Sequence, residues 1–349
     1  MSQQRPFHRL KVAEVIRETS DACSLVFVIP PELSGEFAYR PGQFLTIRVP
    51  GEPDVARCYS LSSSPVTGDR HTITVKRAGY ASGWIADNVR DGTELDVLPP
   101  AGLFTPQDLD GDLLLFAGGS GITPVMSIVK SALRKGRGRI VLVYANQDER
   151  SVIFAERLRQ LSAAEPRLLV IHWLDSVQGH PTVTAMTALA RPYAGYEAFL
   201  CGPDPYMKVV RESLKQLGVP SKKVHVEKFL SLSDNPFADE QGKPGSSPES
   251  PEPHEGTDGA AATLEVTMDG EKRVLTWPAG VRMLDVLVGE GLDAPFSCRE
   301  GSCGACTCQV TAGEVKMANN DVLEEEDLAD GYVLACQSVA VTEKVSIAY

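Results

Sequence analysis

Between residues 7 and 105, apolar and polar positions alternate in short runs, at 25–29, 44–49, 72–75 and 94–98. Pro30-Pro31, Pro41-Gly42, Pro50-Gly51 and Pro99-Pro100 punctuate them. A period of two broken by turn residues predicts an antiparallel β-barrel or sandwich. Near residue 112 the pattern changes. Residues 113–117 are apolar without alternation, as a strand buried on both faces requires. A glycine turn follows, then a helical stretch over 125–135, an apolar strand over 140–144, a helix over 152–161, and strands over 168–171 and 198–200. This β-α-β order predicts a doubly wound parallel sheet.

Residues 231–262 are rich in Ser, Pro, Glu and Gly and lack the apolar surface that offsets ordering entropy, so a flexible linker is expected there. Beyond it, two strands over 263–268 and 273–277 flank Asp269-Gly270, and Met283, Leu284, Leu287 and Val288 form the apolar face of a helix. The expected organisation is multidomain: a β-barrel over 7–108, an α/β doubly wound parallel-sheet domain over 109–230, the linker, and a third domain over 263–349.

Charge sharpens this division. Residues 1–230 carry 27 Lys/Arg against 24 Asp/Glu, and residues 231–349 carry 7 against 22. An acidic module on a faintly basic body does not seek nucleic acid, but it can dock on a basic protein surface. No run approaches the ~18 apolar residues of a membrane span. The first ten residues lack the apolar core of a signal peptide, so a cytoplasmic protein without membrane partners, expected as a monomer, is the reading.

Five of the eight cysteines fall in the last 52 residues. A disulfide scaffold is unusual in a cytosolic chain of 349 residues, so the cluster points to a metal. Cys298, Cys303, Cys306 and Cys336 have the spacing C-x4-C-x2-C-x29-C, which is that of plant-type [2Fe-2S] proteins. Gly301, Ser302, Gly304 and Ala305 are small enough to let backbone N–H groups reach the cluster sulfurs. A structural zinc site in a redox-silent binding protein is the alternative, but zinc prefers two compact cysteine pairs. Cys308 is not expected to be a ligand.

Two further constellations carry chemistry. In Arg57-Cys58-Tyr59-Ser60 an arginine can grip phosphate, an aromatic ring can stack on a flat heterocycle, and a hydroxyl can bond a ring nitrogen; an ordinary strand is the bland alternative. Thr74 and Lys76 follow on another strand, and Tyr80, Ala81, Ser82 and Gly83 open a helix whose free N–H groups suit a pyrophosphate. Gly118, Gly119, Gly121, Thr123 and Pro124 then turn the first parallel strand into a helix, where backbone can approach phosphate closely. Cys201, Gly202 and Pro203 end a later strand at the same sheet edge. Cys201 could equally be a small buried apolar residue. Asn146, Asp148 and Arg150 follow the second parallel strand, where Asp148 and Glu149 disfavour a 2′-phosphate and Arg150 favours one.

These motifs resemble the ferredoxin–NADP reductase superfamily, and the last 87 residues resemble the β-grasp domain of plant-type ferredoxins. The domain order resembles reductases with a C-terminal ferredoxin, such as those serving phenylacetyl-CoA epoxidases and ketosteroid 9α-hydroxylases. Residues 56–61, 144–146, 150–154 and 292–301 look most like the latter. The resemblance implies FAD, NADH and a [2Fe-2S] cluster, with Ser60, Thr123 and Cys201 nearest the chemistry and Phe229 covering the flavin. It also implies a terminal Rieske-type oxygenase as electron acceptor, with another ring hydroxylase or an epoxidase as the alternative.

Overall fold

The computed structural model describes residues 7–51, 54–229, 261–268, 270–292, 294–296, 298–323 and 325–349. The linker expected over 231–262 lies almost wholly outside them. The N-terminal sheet contains β1 (His8–Arg17), β2 (Ala22–Val28), β3 (Phe44–Val49), β4 (Val55–Ser60), β5 (Thr72–Lys76) and β6 (Glu94–Ala101), with α1 (Tyr80–Asn88) between the last two. Its order is β4-β3-β6-β1-β2-β5, with antiparallel pairing throughout. The two edges meet through a bridge between Leu61 and Ile73, so the sheet curls towards closure. Leu10, Leu25, Leu45, Ile47, Ile73 and Val97 fill its interior.

The second sheet is wholly parallel: β7 (Leu113–Gly118), β8 (Ile140–Asn146), β9 (Leu168–Leu174), β10 (Glu197–Cys201) and β11 (Val224–Glu227), in the order β11-β10-β7-β8-β9. Every residue of β7 and β8 is buried, which is why their sequences do not alternate. One face packs on α2 (Ile122–Lys135) and α3 (Ala155–Ala164). The other packs on α5 (Val183–Ala190) and α6 (Asp204–Gln216), with the short α4 (Asp175–Gln178) after β9. The helix expected over 152–161 starts later. Asp148 and Ser151 close a capping box around a single tight turn, and Phe154 takes a left-handed φ of 62°, so the helix restarts only at Ala155.

The third sheet, in the order β13-β12-β18-β14-β16, joins β12 (Ala262–Met268), β13 (Glu271–Trp277), β14 (Thr307–Ala312), β16 (Tyr332–Leu334) and β18 (Lys344–Ala348). Only β12 and β18 run parallel. Helix α7 (Met283–Gly289) buries Met283, Leu284 and Leu287 against Leu264, Val266 and Trp277. A ribbon of β15 (Val315–Met317) with β17 (Ser338–Ala340), and α8 (Glu325–Ala329), complete the module. No helix among the described residues is long and apolar enough to cross a membrane.

Candidate active site and cysteine loop

Three modules meet at one narrow cleft, lined by Phe44, Cys58, Ser60, Glu227, Lys228, Phe229, Ser302 and Cys303. Phe44 pairs with Ser60 across β3 and β4, and Thr46 pairs with Cys58, so these side chains are set on one stretch of barrel. Ser60 is buried, whereas Phe229 is 47% exposed and offers an aromatic face to the cleft. Arg57 donates to the Ala56 carbonyl at 2.6 Å. Glu227 ends β11 in register with Cys201. Burial pushes its carboxyl up to about 8, so at neutral pH it is mostly a proton donor rather than an anion. Sequence reasoning took Phe229 from the family resemblance and passed over Glu227, two residues before it. The available signal was its position at the carboxyl edge of a parallel sheet, where ligands bind.

Lys76 lies 3.7 Å from Asp21 and reaches towards the glycine turn after β7. Thr74 turns away into a hydroxyl network with Ser24 and Ser62. At α1, the Ser82 hydroxyl accepts from Ala78 N–H at 2.8 Å and donates to the Gly79 carbonyl, closing its own turn. Tyr80 stays exposed and donates to the Pro50 carbonyl. A side chain at Gly79 would meet nothing, so the helix entrance is open. An open N-terminus, the arginine and aromatic of β4, and the exposed ring of Phe229 fit a flavin dinucleotide in chemistry.

The nicotinamide motifs are locked together by backbone contact. A Cβ on Gly121 would sit 2.0 Å from the Cys201 carbonyl oxygen, and one on Gly118 would sit 2.8 Å from Pro203 Cδ. One on Gly202 would sit 2.9 Å from Gly118 N. These glycines are therefore required by the crossing of two loops, beyond any need to approach phosphate. Thr123 is buried and donates to the Ser120 carbonyl at 3.1 Å, and Pro124 occupies the first turn of α2. Cys201 is fully buried, and burial pushes its thiol up, so it is a neutral spacer rather than a nucleophile. Asn146, Asp148 and Arg150 stand apart from this crossing, at the end of β8; Asp148 accepts from Ser151 N–H at 2.9 Å.

In the cysteine loop the thiols fall into two pairs, Cys298 with Cys303 and Cys306 with Cys336, each within hydrogen-bonding reach. Backbone N–H groups of Cys298 and Ala305 point at the Cys303 sulfur at 3.4 and 3.5 Å, and Gln337 Nε2 lies 3.5 Å from that of Cys336. Gly301 and Gly304 have φ of 88° and 68°, the left-handed turns that wrap the loop. Two pairs with N–H donors fit a binuclear cluster, each pair serving one iron. Among the described residues no three His, Cys, Asp or Glu side chains converge on a single ion. Cys308 is buried behind the loop against the Met283 sulfur at 3.7 Å, apart from the two pairs.

The loop is seated on the barrel. Cys298 packs with Ala56 and Leu98, Ala305 with Phe44 and Ala101, and Cys58 and Cys303 lie against both groups. Cys58, expected as a cofactor contact, thus also faces Cys303 of the cysteine loop.

A flavin-type barrel, a nucleotide-binding sheet and a cluster-binding module around one cleft define a modular pyridine-nucleotide iron–sulfur reductase. Residues 266–341 match the family of 2Fe-2S iron-sulfur cluster binding domains, and residues 115–212 match the oxidoreductase NAD-binding domain. Phthalate dioxygenase reductase shares the fold over the whole of both chains, with a TM-score of 0.58 and 24% identity. The 3-ketosteroid-9-alpha-monooxygenase ferredoxin reductase component of Rhodococcus rhodochrous is 52% identical over 97% of this chain and 96% of its own. A component of the 1,2-phenylacetyl-CoA epoxidase of Escherichia coli is 32% identical over 98% of this chain and 97% of its own. The chain belongs to the family of 3-ketosteroid-9-alpha-monooxygenase ferredoxin reductase components.

Proposed function

We propose that this protein takes electrons from NADH and delivers them singly to the terminal, Rieske-type oxygenase of a 3-ketosteroid 9α-hydroxylase. One observation carries the reading: Ser60, Glu227 and Phe229 share a cleft with the cluster ligand Cys303. A bound FAD would supply the conversion between the two-electron chemistry of NADH and the one-electron chemistry of a [2Fe-2S] cluster. The chain's residues arrange this. Arg57, Tyr59, Lys76 and the α1 entrance from Tyr80 to Gly83 hold the flavin, with Thr74 bracing the strand behind them through Ser24 and Ser62, and Ser60 and Glu227 provide hydroxyl and carboxyl at its reactive edge. Gly118 to Pro124 and Cys201 to Pro203 seat the nicotinamide, with Cys201 as a neutral spacer. Cys298, Cys303, Cys306 and Cys336 hold the cluster. Asp148 and Glu149 at the end of β8 support NADH over NADPH by charge. Boundaries at 7–108, 109–230 and 263–349, a monomeric state and a cytoplasmic location belong to the same reading.

The test is a reconstitution under NADH with a ketosteroid oxygenase component and, in parallel, with a phenylacetyl-CoA epoxidase component, counting product by mass spectrometry. Hydroxysteroid with the first alone is the expected result. Product with the second alone, while flavin and cluster reduce normally, would keep the electron-transfer reading and overturn the steroid assignment.

A further inference from the structure

Ser62, Ser63 and Ser64 directly follow the Ser60-Leu61 end of β4, and all three are at most 2% exposed. Hydroxyls have little reason to gather in a core unless each is partnered. Here each is, and the Ser62 carbonyl and the Ser64 hydroxyl have partners in the nucleotide domain. Lys130 of α2 donates to the Ser62 carbonyl and to Asp69 Oδ2, both at 3.1 Å. The Ser64 and Ser131 hydroxyls lie 2.7 Å apart, and Ser131 donates to the Ser127 carbonyl at 2.7 Å. Ser131 has one proton and gives it to Ser127, so Ser64 donates to Ser131, while Val66 N–H supplies Ser64 at 3.3 Å. The chain of donors has a single direction. A second chain runs inside the barrel: Ser62, Thr74 and Ser24 stand 2.8 Å apart in succession, and Ser24 donates to Glu18 at 2.6 Å. Thr74 and Ser24 are as buried as Ser62.

The placement of this seam matters more than its strength. Ser62 and Ser64 lie two and four residues past Ser60, which lines the cleft. Lys130 and Ser131 lie seven and eight residues past Thr123 on the same helix, two turns along one face. A rigid helix and a strand end therefore connect the seam to both halves of the reaction site. Apolar packing across the same boundary, such as Ala22 among the residues around α2, has no directional preference and tolerates sliding. Directed hydrogen bonds do not.

We propose that Lys130 and Ser131 are positioning residues for hydride transfer: by fastening α2 to the Ser62–Ser64 segment they set the separation between the nicotinamide turn and Ser60. Neither touches the reacting atoms. The inference rests on the proposed NADH–flavin chemistry, and a displacement of about 1 Å in such a geometry costs about a hundredfold in rate.

The experiment uses the FAD- and cluster-loaded protein and the variants Ser131→Ala, Lys130→Met and Lys130→Arg. Stopped-flow flavin reduction by NADH and by C4-deuterated NADH gives the rate, its isotope effect, the NADH dissociation constant and the amplitude of any long-wavelength flavin–nicotinamide charge-transfer absorbance. Seam loss is expected to slow hydride transfer by about tenfold or more in Lys130→Met and several-fold in Ser131→Ala. The isotope effect should rise and the charge-transfer absorbance fall, with the dissociation constant within about twofold, and Lys130→Arg should recover most of the rate. A merely structural role would lower melting temperature or flavin content and leave rate, isotope effect and absorbance per bound flavin unchanged; that result would overturn the proposal. If Lys130→Met does not fold, Ser131→Ala, which removes one hydroxyl, decides alone. A wild-type protein whose flavin NADH does not reduce would instead overturn the functional reading beneath it.

Discussion

Replacing Gly121 by alanine isolates the crossing of the two nicotinamide loops. Gly121 has φ −61° and ψ −8°, an ordinary helical conformation, so alanine meets no backbone strain there. Gly121 is the N-cap of α2, where alanine gains nothing over glycine. Space decides further against it. The added carbon would lie 2.0 Å from the Cys201 carbonyl oxygen, 2.3 Å from its carbon and 2.7 Å from Gly202 N, all of them backbone atoms that no rotamer change can move. Restoring even the 3.0 Å minimum approach means parting the loops by about 1 Å. Overpacking of this kind costs roughly 1–3 kcal/mol. The same 1 Å separates the glycine turn from Cys201, and misplacement on that scale lowers a hydride-transfer rate by about a hundredfold. Stopped-flow reduction of the bound flavin by NADH measures it, and dithionite reduction of flavin and cluster serves as the control because it bypasses the nicotinamide site. Gly121→Ala should be slow with NADH and normal with dithionite, with a lowered melting temperature. A variant that reduces at the wild-type rate and melts where the wild type does would refute the crossing as the constraint.

Cys306→Ser should lose iron and acid-labile sulfide while keeping flavin and NADH-driven reduction of a small artificial acceptor; metal analysis with the visible spectrum checks it. Ala101→Glu sets a carboxylate against Phe44 and Ala305 on the barrel face where the cysteine loop sits, at a desolvation cost of several kcal/mol. It should leave flavin reduction intact and slow cluster reduction about tenfold or more, as rapid-freeze spectroscopy would resolve. Glu227 carries a pH signature. Its carboxyl keeps a proton up to about 8 in the folded protein against 4.5 ordinarily, so the native state binds more protons across that window and stability falls as pH rises through it. Melting curves from pH 5 to 9 should show the wild type losing ground to Glu227→Gln as pH climbs; parallel curves would contradict the assignment.

What the sequence disclosed and what it concealed divide along physical lines. Period-two alternation at the start of β6, the unbroken apolar run of β7 and the β-α-β order are consequences of burial, and burial is written in residue type. The four cysteines were legible because two irons demand a fixed number of thiolates at constrained spacing. Phe154 was not legible, since the left-handed turn that delays α3 follows from the Asp148–Ser151 capping box closing first. The glycines carry a second message: Gly118 and Gly121 read as phosphate-binding positions, and Gly121 and Gly202 are also required by backbone contacts, Gly118 by the Pro203 and Tyr206 rings, between segments some eighty residues apart. No local pattern reports such a contact.

The same limit explains why the buried serines carried no message. A Ser-Ser-Ser run reads as a polar turn. It becomes a core feature because barrel residues partner Ser62 and Ser63 while α2 of another domain brings Ser131 to Ser64 and Lys130 to the Ser62 carbonyl and Asp69. The cleft is built in the same way: Ser60 comes from a barrel strand, Glu227 and Phe229 from the end of a parallel sheet, and Cys303 from a loop more than seventy residues further on. Chemistry held within one loop, such as the cysteine spacing, survives in one dimension. Chemistry made by docking separate modules exists only at their interface. The residues that fix its geometry there are ordinary serines, glycines and a lysine, whose types give no hint of the distances they hold.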